Sequence, residues 1–198
     1  TLYAWGVNTN GQLAQGNLQN RSSPVLVKTS PSLVTSFTSV TAGDSHSAAI
    51  DINNKIWAFG LNTGGQLGID PEGQLVNVPY PSLYIANKMD YNYTSGYSWS
   101  QISAGDAHIA MIRSDGMLFT SGGNTNGKLG DSNTINKIGL EQIGTSSWSK
   151  VSAGGTHTSA IRTDGALFTW GLGTSGQLGD GTTVNKSSPV QIGTSSWI

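Results

Sequence analysis

An all-β fold, assembled from repeated four-stranded antiparallel units, is predicted for this chain of 198 residues by three observations. An aromatic or Ser followed by Gly, then four residues, then Gly-(Gln/Lys)-Leu, occurs four times. The copies are Trp5-Gly6…Gly11-Gln12-Leu13, Phe59-Gly60…Gly65-Gln66-Leu67, Ser121-Gly122…Gly127-Lys128-Leu129 and Trp170-Gly171…Gly176-Gln177-Leu178. A second phrase, Ala-Gly-x-x-His, falls at Ala42-Gly43…His46, Ala104-Gly105…His108 and Ala153-Gly154…His157. Finally, residues 99–147 and 148–196 align without a gap and are identical at 28 of 49 positions. Repetition at this period indicates blades or solenoid units. No segment carries a 3.6-residue apolar stripe long enough for a helix. A single sheet of this size cannot bury both faces. Packed radially about an axis, each sheet covers the next and keeps its edges short, which is the propeller arrangement.

Within the repeat 148–196, Trp148 to Ala153 alternates large and small residues and reads as a first strand. His157 to Arg162 is the second and Ala166 to Trp170 the third, joined across Asp164-Gly165. Two extended runs flanking Asp-Gly are a hairpin signal, because Gly accepts the positive φ of a tight primed turn. Asp115-Gly116 and Asn53-Asn54 are the equivalent turns, and Asn also tolerates left-handed geometry. A Gly- and Asn-rich loop then leads to Pro189-Val190-Gln191-Ile192, a last strand whose Pro suits a sheet edge. The small Ala-Gly ending fits crowding near the axis. The strand-start aromatics Phe37, Trp99, Trp148 and Trp197 fit the wedge between sheets.

The expected units are a partial blade at 1–36 (outer strands and loop), a blade with an insertion at 37–98, blades at 99–147 and 148–196, and the start of another at 197–198. In repeat register Thr1 corresponds to Ala166 and Ile198 to Ser149. The chain is therefore expected to be part of a longer propeller or a larger assembly.

Composition narrows the function classes. Charged residues make up 11% of the chain and the formal net charge is −1, so no basic footprint for nucleic acid is present. There is no basic amphipathic stretch for a membrane surface and no apolar run able to span one. With no cysteine, disulfides, thiol chemistry and Cys-based zinc sites are excluded within these residues. No cofactor is expected.

The joined phrases resemble the repeats of the regulator of chromosome condensation family. The fullest match runs from Val151-Ser152-Ala153-Gly154-Gly155-Thr156-His157 through Trp170-Gly171-Leu172-Gly173-Thr174-Ser175-Gly176-Gln177-Leu178-Gly179. Departures are Ser121 for the aromatic, Lys128 for Gln and an insertion within 69–98. The resemblance implies a propeller, in that family usually of seven blades, of which about three and a half repeats are present here. Its best-known member promotes nucleotide exchange on a nuclear small GTPase and binds chromatin. Other members are ubiquitin-ligase domains, receptors and bacterial and phage proteins. The motif is common to all of them, so it carries the fold and not the activity.

Among candidate sites, His46, His108 and His157 hold one repeat position, which predicts a structural role: an imidazole bonding backbone groups of its own or the next blade. A metal site needs convergence of ligands, not one copy per blade. Asp44-Ser45-His46 is adjacent only in sequence, whereas a triad requires geometry and an oxyanion hole. Gly122 to Lys128 superficially fits a phosphate loop, but Leu129 stands where a Ser or Thr would hold magnesium. Asp131 and Asp180 read as loop caps. The nonrepeating feature is region 69–98, 30 residues against 17 in the equivalent 131–147. It holds Tyr80, Tyr84, Tyr91, Tyr93 and Tyr97. Tyrosine is enriched at recognition surfaces, and insertions in repeat arrays often lie on a binding face. Packing over the blade rim is the competing role.

The expected function is a non-enzymatic interaction or assembly module, contacting a protein or glycan through a propeller face. An exported or phage virion protein, including an adhesion component, is favoured over a nuclear one by the low charge and the Ser/Thr/Asn-rich loops. The alternative is a guanine-nucleotide exchange factor for a small GTPase.

Overall fold

A computed structural model describes residues 1–29, 36–68, 78–83 (as backbone) and 98–197. Its described residues form strands, with one short 3-10 turn at Thr125–Gly127 and no α-helix. Strands β1 (Tyr3–Gly6) and β2 (Arg21–Leu26) pair as a two-stranded sheet. Strands β3 (Phe37–Ala42), β4 (His46–Asp51), β5 (Ile56–Gly60) and β6 (Val78–Leu83) form a four-stranded antiparallel meander in chain order. The next unit comprises β7 (Trp99–Ala104), β8 (His108–Arg113), β9 (Met117–Gly122) and the start of β10 (Lys137–Ala153). The last comprises the end of β10 with β11 (His157–Arg162), β12 (Leu167–Gly171) and β13 (Lys186–Ile192).

β10 therefore serves two sheets. Its first part pairs with β9 (Glu141 opposite Thr120, Gln142 opposite Phe119), and its last part with β11 (Val151 opposite Ala160). The β9 register breaks between Gln142 and Ser147, where Gly144 has φ 61°. A left-handed residue there bends the chain from the outer edge of one unit to the inner edge of the next. Pro189 lies in β13, which is an edge strand, and its missing N–H breaks no ladder.

The hairpins form where Asp-Gly stands, but the turn is not a primed one. Gly116 (φ 87°) and Gly165 (φ 88°) are left-handed while the preceding Asp residues are not. Gly116 N–H donates to Arg113 O at 2.9 Å, and Gly165 N–H to Arg162 O at 2.9 Å. This is a type I turn closed by a left-handed Gly, a three-residue loop with a bulge. Asn54 (φ 58°) takes the Gly place between β4 and β5. A clasp explains the preference. Arg113 Nη2 reaches Asp115 Oδ2 at 2.6 Å and its guanidinium lies 5.0 Å from the Phe119 ring centre. Arg162, Asp164 and Phe168 repeat the arrangement. In the first complete unit Asp51 replaces the Arg, and its carboxylate accepts Asn53 N–H, Lys55 N–H and Trp57 Nε1–H.

Burial follows the stacking of sheets. β5 and β8 are buried throughout, because both faces are covered. β11, in the last unit, alternates and stays partly exposed. Trp99 is 2% exposed and packs with Ala48, Ile50, Ile56 and Ala58 of the preceding sheet and with Phe119 of its own, edge-on at 5.5 Å. Trp148 repeats this with Ile112, Leu118 and Phe168, the last at 5.3 Å. Phe37 is half-buried and Trp197 exposed. The strand-start tryptophans also link the units through the backbone. Trp99, Trp148 and Trp197 N–H groups donate to Asn54, Gly116 and Gly165 carbonyls in the previous hairpin turns.

Candidate functional site

The Ala-Gly-x-x-His phrase builds the inner contact between sheets. A Cβ on Gly43 would lie 2.3 Å from Gly105 O and 2.3 Å from His46 Cε1, and one on Gly105 would lie 2.3 Å from Gly154 O and 2.3 Å from His108 Cε1. Glycine is required here by close approach: its Cα faces its own histidine and the carbonyl of the next unit's glycine. Hydrogen bonds run the same way. Ala104 N–H donates to Thr41 Oγ1 at 2.9 Å and Ala153 N–H to Ser103 Oγ at 2.9 Å. Gln101 donates to Ser149 O and accepts from Val151 N–H.

His46 and His108 are fully buried, while His157 is partly exposed. The expected backbone partner of the imidazole is instead, for His108, a side chain. Its Nε2 lies 2.9 Å from Thr158 Oγ1, and that hydroxyl donates to Lys128 O at 2.8 Å. Trp170 Nε1–H also donates to Lys128 O, at 3.0 Å. The position equivalent to Thr158 in the preceding unit is Ile109, which offers no hydroxyl, and neither ring nitrogen of His46 has a hydrogen-bond partner. Burial pushes His46 down to about 4, opposed by the His108 backbone and by Asp44 and Asp106. Burial pushes His108 down to about 3, with Lys128, His46 and His157 adding in the same direction. Both are therefore neutral at physiological pH. Thr158→Val should strip His108 of its partner and Lys128 O of a donor, costing about 1–3 kcal/mol. Thermal denaturation reads this, and an unchanged midpoint would show the bond to be idle.

Ser45 Oγ donates to Asp44 Oδ2 at 3.1 Å, which directs the hydroxyl to the carboxylate and not to the buried imidazole. Among the described residues no three His, Cys, Asp or Glu side chains are grouped to hold a metal. The phosphate-loop look-alike is organised by Asn124. Its Oδ1 accepts Leu129 N–H, its Nδ2 donates to Asp131 Oδ1 and Asn133 O, and its own N–H donates to Asn136 Oδ1. Asn8 makes the matching set with Leu13, Asn17 and Asn20. This role is missed by reading for chemistry. Its signal is Asn at one repeat position in three copies, Asn8, Asn62 and Asn124. Asp131 and Asp180 cap their loops and also hold Lys137 and Lys186, each at 3.2 Å.

Ser121 and Lys128, the two departures from the repeat, are accommodated differently. Ser121 Oγ donates to Gly65 O at 2.8 Å, so a small hydroxyl replaces the indole donor. Gln12, Gln66 and Gln177 each accept a loop N–H two residues back, which Lys128 cannot do. Burial draws the Lys128 amine below its ordinary value, opposed by Asp106. Beside β1 a cleft of about 430 Å³ is lined by Leu2, Ala4, Val40, His46 and Phe59. Of the predicted tyrosines, Tyr80 lies in β6, and Tyr84, Tyr91, Tyr93 and Tyr97 lie outside the described residues.

The profile of the regulator of chromosome condensation (RCC1) repeat matches residues 1–50, 53–112, 115–161 and 164–197. The chain belongs to the RCC1 repeat family. A second profile of the same repeat matches 37–66, 99–128 and 148–177. The human protein described as probable E3 ubiquitin-protein ligase HERC6 is 33% identical over 144 residues, covering 72% of this chain and 13% of that protein. The ultraviolet-B receptor UVR8 of Arabidopsis thaliana is 30% identical over 143 residues, covering 72% of this chain and 30% of the receptor. The solved human WBSCR16 superposes with a TM-score of 0.79 at 22% identity, over 97% of this chain and 48% of that one. Yeast RCC1 (Prp20), solved with Kap60, gives 0.76 at 21% identity, over 97% and 44%. The fold is thus a partial RCC1-like β-propeller, and the chain spans less than a third of these curated relatives and under half of the solved propellers.

Proposed function

We propose that this propeller segment is a non-enzymatic interaction module that recognises a partner protein through nonrepeating loop residues. The carrying observation is the allocation of its polar residues. Gly43 and Gly105, His108 and the Thr41, Ser103 and Thr158 hydroxyls are engaged between blades, and Asn8 and Asn124 in loop scaffolding. Recognition is left to positions that break the repeat, above all the tyrosine-rich insertion. A protein partner accords with one related propeller, yeast RCC1 (Prp20), solved with Kap60 and, in a second structure, described with binding properties to Gsp1p and histones. Low charge and Ser/Thr/Asn-rich loops support an exported or virion-surface setting. Finding the chain in a nuclear fraction of its source would count against that setting.

The test is partner capture by immobilised wild-type chain and by the Tyr91→Ser, Tyr93→Ser double variant. Capture should fall at least about tenfold, as for loss of a recognition hot spot, with an unchanged thermal midpoint. A lowered midpoint with intact capture would make the insertion a structural cover and remove the reading.

A further inference from the structure

The last junction between blades is more polar than the one before it, and its Asn126 and Ser187 recur as Asn10 and Ser22 in the first unit. A cleft of about 410 Å³ between the 99–147 and 148–196 units is lined by Thr125, Asn126, Thr134, Asn185 and Ser187. Every lining side chain is neutral and can hydrogen-bond. Asn185 is held in place: its Oδ1 accepts Gly173 N–H at 3.0 Å and its Nδ2 donates to Asn126 Oδ1 at 3.0 Å. The hydroxyls of Thr125, Thr134 and Ser187 and the Asn126 Nδ2 make no hydrogen bond within the described residues, leaving donors and acceptors facing the cleft. Two lysines that flank it in sequence are already paired, Lys186 with Asp180 and Lys137 with Asp131. Flanking the cleft in sequence, Ile135 and Val184 are 69% and 60% exposed.

The preceding junction supplies an internal comparison. There Gly64 stands for Asn126 and Ile138 for Ser187, while Thr63 and Asn136 match Thr125 and Asn185. The loop packs alike at both junctions, since Gly65 lies against Lys137 and Ile138 as Gly127 lies against Lys186 and Ser187. Polarity at 126 and 187 is therefore not needed to join two blades. Asn126 even adopts φ 68°, a geometry Gly would take more easily.

We propose that this cleft binds a neutral pyranose sugar. An ionic ligand would find no countercharge, and an apolar one would desolvate five polar side chains without return. A pyranose presents hydroxyls around its ring to meet the Asn, Thr and Ser side chains of the lining. The assignment adds a saccharide to the interaction-module reading, and sugar titration tests it separately from protein capture.

The experiment titrates the intact chain with free hexoses and N-acetylhexosamines and with their methyl glycosides, by calorimetry and saturation-transfer NMR. Saturable binding with Kd of about 1 mM is expected for at least one sugar, the affinity suited to a ligand of this size. Binding of the methyl glycoside assigns a glycan terminus, and of the reducing sugar alone a free saccharide; both support the site. The Asn126→Gly, Ser187→Ile double variant writes the preceding junction into this one, and should weaken binding at least about tenfold while folding normally. No saturable binding across the panel, or equal affinity in the double variant, overturns the proposal.

Discussion

Acidification should unfold this protein well before its carboxylates titrate. His46 and His108 are held neutral inside the fold, at about 4 and about 3, against an ordinary value of 6.5. An unfolded chain binds protons at both sites below pH 6.5 while the native chain does not. Stability therefore is fully present above that value and falls as pH drops, toward about 4 for His46 and about 3 for His108. With both sites contributing, the slope approaches about 3 kcal/mol per pH unit, and the loss by pH 5 is on the order of 4 kcal/mol. That is a large part of the 5–15 kcal/mol that roughly bounds a folded domain. Asp44, Asp106, Lys128 and His157 face the pair and set the residual field. Asp115 and Asp164, held below 3.8 chiefly by their arginine hydrogen bonds, lose their contribution only as pH falls below that value. The two effects thus separate along the pH axis. Denaturant midpoints at pH 7, 6 and 5 measure the slope, and His108→Gln should roughly halve it. A flat profile across this range would show that the imidazoles reach solvent.

What could be read from the sequence followed the range of the interaction. Strands and hairpins are local, and the Ala-Gly, Asp-Gly and alternating patterns marked them. The turn type was misread because Asp-Gly favours two hairpin geometries, and the choice rests on Arg113 and Arg162 reaching back to Asp115 and Asp164. Continuity of β10 across two blades was also hidden, since it depends on Gly144 bending the strand without ending it. Contacts between blades required positions about fifty residues apart to be compared. His108 with Thr158, Ser103 with Ala153 and Gln101 with Val151 are all separated by 50, one more than the 49-residue repeat. Pairing each polar residue with its repeat mate plus one would have found them. It would also have flagged Ile109 as the mismatch beneath His46. The family was legible because glycines under steric constraint tolerate little replacement. The neutral cleft was not, because it forms between residues about sixty apart in sequence, Asn126 and Asn185.

Replacing Gly105 by Ala should strongly destabilise the fold through a single added methyl. The residue does not have a left-handed φ, so backbone strain is not the cause, and the effect isolates packing between blades. The new Cβ would sit 2.3 Å from Gly154 O and 2.3 Å from the His108 ring. The carbonyl belongs to the adjoining blade's backbone and cannot rotate away; the ring is fully buried and bonded to Thr158. Relief requires the two blades to separate, which loosens the Ser103–Ala153 and His108–Thr158 bonds together. The expected cost is about 3 kcal/mol or more, the upper range for overpacking, or roughly 6–12 °C in thermal midpoint for a chain of this length. Gly154→Ala grades the result. The three atoms nearest its Cβ all belong to the ring of His157, the first at 2.4 Å, and that partly exposed side chain can shift, so the loss should be smaller. Gly139→Ala places a methyl in open space within β10 and should be neutral or slightly stabilising. Equal midpoints for the Gly105 and Gly139 variants would mean that the blades do not meet at their glycines, and the inner contact would have to be redrawn.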